Sequence, residues 1–126
     1  MKYRLMDLLA CPMCKHFPLK LIVFEETGIE RPEKIRRCEL YCGYHQALIE
    51  DLSELDCEDC WSKEIVSGIL ICEKCGRWYP IEEEIPRMLP DDLRDRNKDL
   101  SFLSRWRSRI PERVLRDGKP FNLGNT

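Results

Sequence analysis

The sequence predicts an α+β fold in which two separated β segments make one small domain, a helical hairpin is inserted between them, and an amphipathic helix follows. Three observations support this. Two C-x-x-C pairs, Cys11/Cys14 and Cys72/Cys75, each adjoin short runs of strand-forming residues. Between them, residues 25–61 carry helix-opening and helix-capping signals. Beyond Pro90, apolar residues recur at helical spacing.

At 126 residues the chain is long enough for one domain, or for a small domain carrying an insertion. Charged residues make up 35 %, while Gln occurs once and Asn three times, a usage that leans toward a hot-living source. The net charge of −2 excludes a polyanion binder acting by bulk charge. The charge is uneven: residues 1–90 hold twelve Lys/Arg against seventeen Asp/Glu, and residues 91–126 hold nine against six. No apolar run is long enough for a signal peptide or a bilayer span, so the expected location is cytoplasmic, away from membranes. In that reducing setting, eight cysteines point to metal before disulfides, and a core this small gains from a metal staple.

Residues 1–24 give a short helical start from Tyr3 to Leu9, the knuckle CPMCK, and the strand PLKLIVFE with Leu19, Leu21 and Val23 on one face. In residues 25–61, Thr27-Gly28 reads as a turn, and Pro32 can open a helix through IRRCELYCGYHQALIEDL. Ser53 and Asp56 then start a shorter helix through LDCEDCW. Residues 62–90 return to β structure: KEIV, a Ser67-Gly68 turn, ILIC, the second knuckle and WYPI. Residues 91–126 supply the last helix, with Leu100, Leu103, Trp106, Ile110 and Val114 as its apolar stripe and Arg105, Arg109, Arg113 and Arg116 away from it. Pro111 should kink or end that helix, leaving DGKPFNLGNT as a loose end. The arginine face has three readings: a solvated surface, a helix docked on a partner, or a contact to RNA phosphates.

The strongest chemical signal is Cys11 and Cys14 paired with Cys72 and Cys75. Two residues between sulfurs let a tight turn aim both thiolates at one ion, and Gly76 relieves the strain of the second turn. Two such knuckles on adjoining hairpins make the four-sulfur site of a zinc ribbon. Four thiolates leave no open position, so one structural Zn2+ is expected. An iron site of the rubredoxin kind uses the same ligands. Cys38, Cys42, Cys57 and Cys60 form a second quartet, spaced i,i+4 and i,i+3 as on helix faces. Two antiparallel helices could bring Cys38 opposite Cys60 and Cys42 opposite Cys57, and two nested disulfides, a second zinc and buried thiols are the three readings of the quartet.

His16 and His45 read as surface or packing residues, and no phosphate loop, nucleophile elbow or metalloprotease motif occurs. The run Glu82 to Glu84 reads as a solvated turn. No catalytic and no cofactor-binding residue is assigned.

The stretches LLACPMCKHFPLKL and GILICEKCGRWYPIEEEIPRMLP resemble the small zinc-binding activator subunit shared by several S-adenosylmethionine-dependent methyltransferases, the multifunctional tRNA-methyltransferase subunit family. The likeness covers residues 1–24 and about 62–90. Long members of that family carry a helical insertion where residues 25–61 stand, although the four cysteines there depart from the pattern. The resemblance implies a non-catalytic partner that pairs as a heterodimer with a Rossmann-like methyltransferase, adds β structure to the enzyme's sheet edge and covers an apolar patch. Substrates, tRNA foremost, belong to the partner. The partner-binding residues it implies are Trp78, Ile81, Ile85, Pro86, Met88 and Leu89, in a segment where apolar side chains recur and prolines remove donors. Trp78 and Ile81 fit the domain's own core equally well. A nucleic-acid-binding zinc ribbon is the alternative, opposed by the acidic balance of residues 1–90, and an iron electron carrier is the third reading.

Overall fold

The computed structural model describes residues 1–30, 38–53 and 60–124. Four antiparallel strands form the main sheet: β1 (Lys20–Gly28), β4 (Lys63–Ile71), β5 (Trp78–Glu82) and β6 (Ile85–Pro86), in the order β1-β4-β5-β6. A short hairpin of β2 (Tyr41–Cys42) and β3 (Ala47–Leu48) stands apart from it. The α+β class is as expected.

Both faces of the sheet are buried, which explains why β4 reads as the nearly unbroken apolar run ILI at its end. On one face Leu19, Leu21, Ile65, Tyr79 and Ile81 pack with Tyr3 and Met6 from the N-terminal 3-10 turn, Tyr3–Asp7. On the other, Phe24, Ile69, Ile71 and Trp78 pack under Phe102, Leu103, Ile110 and Val114 of the C-terminal segment. A fully buried aliphatic or aromatic side chain contributes about 1.5–3 kcal/mol, so these two layers supply much of what holds the fold.

The expected turn at Ser67-Gly68 is absent: β4 runs straight through it. Its glycine serves a close approach instead. A Cβ on Gly68 would lie 2.7 Å from the Ile22 carbonyl oxygen, beside the point where β1 bulges between Val23 and Glu26. Two irregularities there put Glu25 and Glu26, both exposed, on the sheet's β1 border.

The helix expected through residues 38–51 is also corrected. Tyr41↔Leu48 and Cys42↔Ala47 pair as strands, and Ile49–Asp51 is a single 3-10 turn. Tertiary contacts override helical propensity here. The Asp7 carboxylate accepts the main-chain N–H groups of Glu39, Leu40 and Tyr41 at 3.0, 2.8 and 2.8 Å, which fixes them outside a helix. A Cβ on Gly43 would lie 2.5 Å from the Tyr3 carbonyl oxygen, and Gln46 turns the chain at φ 53°. The helix opening at Pro32 and most of the LDCEDCW helix lie outside the described residues.

The C-terminal segment is two helices. Helix α1 (Arg96–Arg105) is capped by Asp95, whose carboxylate accepts from Lys98 N. It stops at Trp106, before Pro111, and a 3-10 turn at Arg107–Arg109 follows. Pro111 starts α2 (Glu112–Asp117) instead of ending a longer helix. Nor is the end of the chain loose as far as Gly124. Lys119 N donates to Gly76 O, Trp78 N to Lys119 O, and Leu123 N to Leu115 O. Among the described residues, no helix is long and apolar enough to cross a membrane.

Candidate metal centre and its adjoining border

The two cysteine pairs form matching turns. Lys15 N donates to Cys11 O at 2.8 Å and Cys11 N to His16 O at 3.0 Å; Gly76 N donates to Cys72 O at 3.0 Å and Cys72 N to Arg77 O at 2.8 Å. Each turn ends in a left-handed residue, Lys15 at φ 67° and Gly76 at φ 80°. Glycine at the second position was legible from sequence; lysine holding the same conformation in the first was not.

The sheet register carries the second turn to the first. The Sγ atoms of Cys11, Cys14, Cys72 and Cys75 all lie within 4.8 Å of one another. Cys11 and Cys75 are 3.7 Å apart, and Cys14 and Cys72 are 3.4 Å apart. Four sulfurs at about 2.3 Å from a central ion stand about 3.8 Å apart at tetrahedral angles, so the set fits a four-thiolate metal. Cys11 and Cys72 are buried, while Cys14 and Cys75 are half-buried.

The electrostatics fit a cation as well. Burial pushes the Cys11 thiol up, but the Tyr79 hydroxyl and the main-chain N–H groups of Cys14 and Met13 together bring it down to about 6. Burial, with the neighbouring Cys14 and Cys75, drives Cys72 up to about 12. Sulfurs this close carry their full negative charge only against a positive ion. Tyr79 Oη donates to Cys11 Sγ at 3.2 Å, and burial holds the Tyr79 hydroxyl in its protonated, donating form. On the other side, Arg77 is held in its charged form by Asp91 first and Cys75 second. These groups around the sulfurs had no sequence signal beyond their position next to the knuckle.

His16 lies outside the cluster, and no fifth ligand joins it among the described residues. In the second quartet Cys57 lies outside the described residues. Cys42 is buried on β2, where its Sγ accepts His45 N at 3.4 Å. The antiparallel-helix arrangement expected to align Cys38 with Cys60 and Cys42 with Cys57 does not hold, because Cys42 sits on a strand. Nor does His45 lie on a helix; it belongs to the hairpin turn.

Beyond the second knuckle, β5 and β6 close a hairpin through Glu83 and Glu84, both left-handed at φ 50° and 69°. The glutamate run is therefore a two-residue turn of the kind usually given to Asn-Gly. Ile81↔Pro86 and Glu82↔Ile85 pair across it, and Arg87 N donates to Pro80 O at 2.9 Å. Arg77 then grips Asp91 with two bonds of 2.9 and 2.7 Å, fixing the far end of the segment.

This border divides into a buried and an exposed part. Trp78 and Ile81 are fully buried, so neither side chain offers a surface to another protein. Trp78 stacks on Phe102 at 5.6 Å, lies under the Arg94 guanidinium at 4.6 Å, and donates its Nε1–H to Phe121 O. Arg94 is itself held by Asp99 at 2.8 Å. In contrast, Ile85 is 56 % exposed and Leu89 39 % exposed, with Leu93 beside them at 62 %. Pro86 is half-buried, and Met88 packs partly on the core below. An open groove of 700 Å³, lined by Pro80, Leu89, Leu93, Phe102 and Trp106 among others, runs from this border along α1.

Comparison with known proteins places these features in context. The model of a family described as Trm112p-like protein matches residues 2–84; the match ends inside the β5–β6 turn, before the exposed border. Among solved structures, a chain of the E. cuniculi Mtq2-Trm112 complex is similar at 23 % identity and a TM-score of 0.52, over 71 % of this chain and 95 % of that one. That complex is described as methylating the eRF1 translation termination factor. No curated protein matches this sequence.

Proposed function

Since the chain belongs to the Trm112p-like family, we propose that it is a non-catalytic subunit that binds, stabilises and activates S-adenosylmethionine-dependent methyltransferases of the translation machinery, those acting on tRNA first. The similar solved chain sits in a complex with a methyltransferase, which supports a heterodimeric partner here. The observation that carries the proposal is the border on which Ile85 and Leu89 are exposed, with Pro86 and Met88 half-buried beside them, on strands that adjoin the four-sulfur site.

A structural Zn2+ held by Cys11, Cys14, Cys72 and Cys75 keeps the two knuckles together and does no chemistry on a substrate. With β5 anchored at Cys75 and the segment's end tied by Arg77 to Asp91, the short β6 edge keeps one shape before any partner arrives. An enzyme's sheet edge can then add main-chain hydrogen bonds to it, while Ile85 and Leu89 enter apolar pockets. Preorganisation lowers the ordering cost of association. Binding to the folded enzyme and not to its unfolded chain stabilises that enzyme by mass action, and holding its cofactor pocket in the competent form is a shift of populations.

The test is capture of partners from the source organism with the tagged full-length chain, read by mass spectrometry. Methyltransferases recovered in near-equal amounts are the expected result. Recovery of none, from a chain that holds its metal and is folded, overturns the proposal.

A further inference from the structure

The C-terminal helices carry a charge pattern that the partner-binding border does not explain. Residues 105–119 hold six Lys/Arg, all exposed, against Glu112 and Asp117, in a chain whose net charge is −2. Four cations are arranged along the outer side of β1. At one end, Lys20 and Arg113 share a single carboxylate, Glu73, at 3.8 and 3.2 Å, leaving one positive charge uncancelled there. At the other end, Arg109 donates to the carbonyls of Val23 and Phe24 at 3.2 and 3.4 Å. Carbonyls fix that guanidinium in place without neutralising it. Arg105 stands over the Trp106 ring at 5.1 Å, and Trp106 in turn stacks on Phe24 at 4.8 Å, so its charge is also positioned but not paired. The other acids nearby are Glu112, bonded to Arg116, Asp117 on the same helix, and Glu25 and Glu26 on β1, which accept hydrogen bonds from the Ser67 and Tyr3 hydroxyls.

From Lys20 to Phe24 the strand extends about 13 Å at roughly 3.3 Å per residue. That matches a short run of phosphates along one strand of nucleic acid. We propose that Lys20, Arg105, Arg109 and Arg113 form a track for the phosphate backbone of RNA, supplied by this subunit in addition to whatever the enzyme itself binds. The inference rests on the reading that the chain serves an RNA methyltransferase. Arginine suits the role because its planar fork stacks on aromatic rings and keeps its charge when partly desolvated. Such contacts position a nucleic acid without reading its sequence.

The experiment uses the complex of the full chain with its captured methyltransferase, and the full chain alone, each titrated with fluorescein-labelled unfractionated tRNA between about 50 and about 200 mM salt. The triple variant Lys20→Gln, Arg105→Gln, Arg113→Gln leaves the Arg109 anchor and the buried stripe intact, so it should melt with the parent. Its tRNA affinity should fall at least about tenfold, and the slope of log K against log salt should shrink by about three, one per lost contact. Arg105→Lys with Arg113→Lys should keep most of both. Unchanged affinity and slope in the triple variant overturn the track. Loss of methyltransferase capture by the triple variant also overturns it, because the face would then be a protein-docking surface. If no methyltransferase is captured by the parent, the functional reading fails, while the same slope loss measured on the chain alone still upholds the track.

Discussion

Arg77 and Asp91 meet through two parallel hydrogen bonds of 2.9 and 2.7 Å, and this pair joins the metal knuckle to the end of the exposed border. Arg77 follows the knuckle glycine directly, and Asp91 follows Pro90. Everything between them, β5, the turn and β6, is closed into one loop. The pair therefore couples the shape of the exposed edge to the four-sulfur site.

The pair sets a pH dependence. The Arg77 guanidinium holds the Asp91 carboxyl below the ordinary carboxylate range. A lowered folded-state pKa contributes stability that is present above the unfolded value, about 4, and is lost as pH falls through the folded one. Melting temperatures measured from pH 6 downward should show this loss in the parent and less of it in Asp91→Asn. At neutral pH that variant should cost about 1 kcal/mol, as expected for a partly exposed bidentate pair.

Metal content separates the readings of the cysteines. Elemental analysis should find one zinc bound by the first quartet, in a colourless protein. Cys72→Ser should lose it, together with folding free energy on the order of 10 kcal/mol, seen as collapse of the cooperative melt. A second equivalent of metal retained in Cys72→Ser would belong to Cys38, Cys42, Cys57 and Cys60.

The border should split by burial. Trp78→Ala removes a fully buried ring and should destabilise the chain by about 3–5 kcal/mol. Ile85→Asp with Leu89→Asp changes exposed side chains and should shift stability by less than about 0.5 kcal/mol. The same double variant should abolish methyltransferase recovery with zinc content unchanged. Calorimetry beside affinity capture checks both halves.

The two left-handed knuckle residues should respond in opposite directions. Lys15→Gly relieves a side-chain conformation that costs about 1 kcal/mol and should raise the denaturant midpoint. Gly76→Ala meets no atom within 4 Å, so its loss, about 1 kcal/mol, should be purely one of backbone conformation.

The four-cysteine cluster was legible in the sequence because its chemistry is local: two residues between thiols define the turn without help from the rest of the chain. The apolar runs of β1 and β5 were legible for the same reason, although β1 continues through Thr27-Gly28, where a turn was expected, and β4 was expected as two strands broken at Ser67-Gly68. What escaped depends on contacts distant in sequence. Nothing near Gly43 announces that Tyr3 O will press against it, and Asp7 reaches across 34 positions to hold Tyr41 N. Glu83 and Glu84 form a hairpin turn against their own preference because Ile81↔Pro86 pairing closes around them. Phe102 was missed from the helical stripe; it is buried because its ring stacks on Trp78 and packs against Phe24, both distant in sequence. The exposure of Ile85 and Leu89, and the enclosure of Trp78, could be decided only once the C-terminal tail was in place.

The bulged flank of β1 has a consequence for stoichiometry. With the ladder shifted between Val23 and Glu26 and the exposed carboxylates of Glu25 and Glu26 on that strand, a neighbouring copy finds mismatched spacing and like charge where it would need a straight ladder. Growth into filaments is blocked at that flank, so joining at the opposite one ends assembly after a single event.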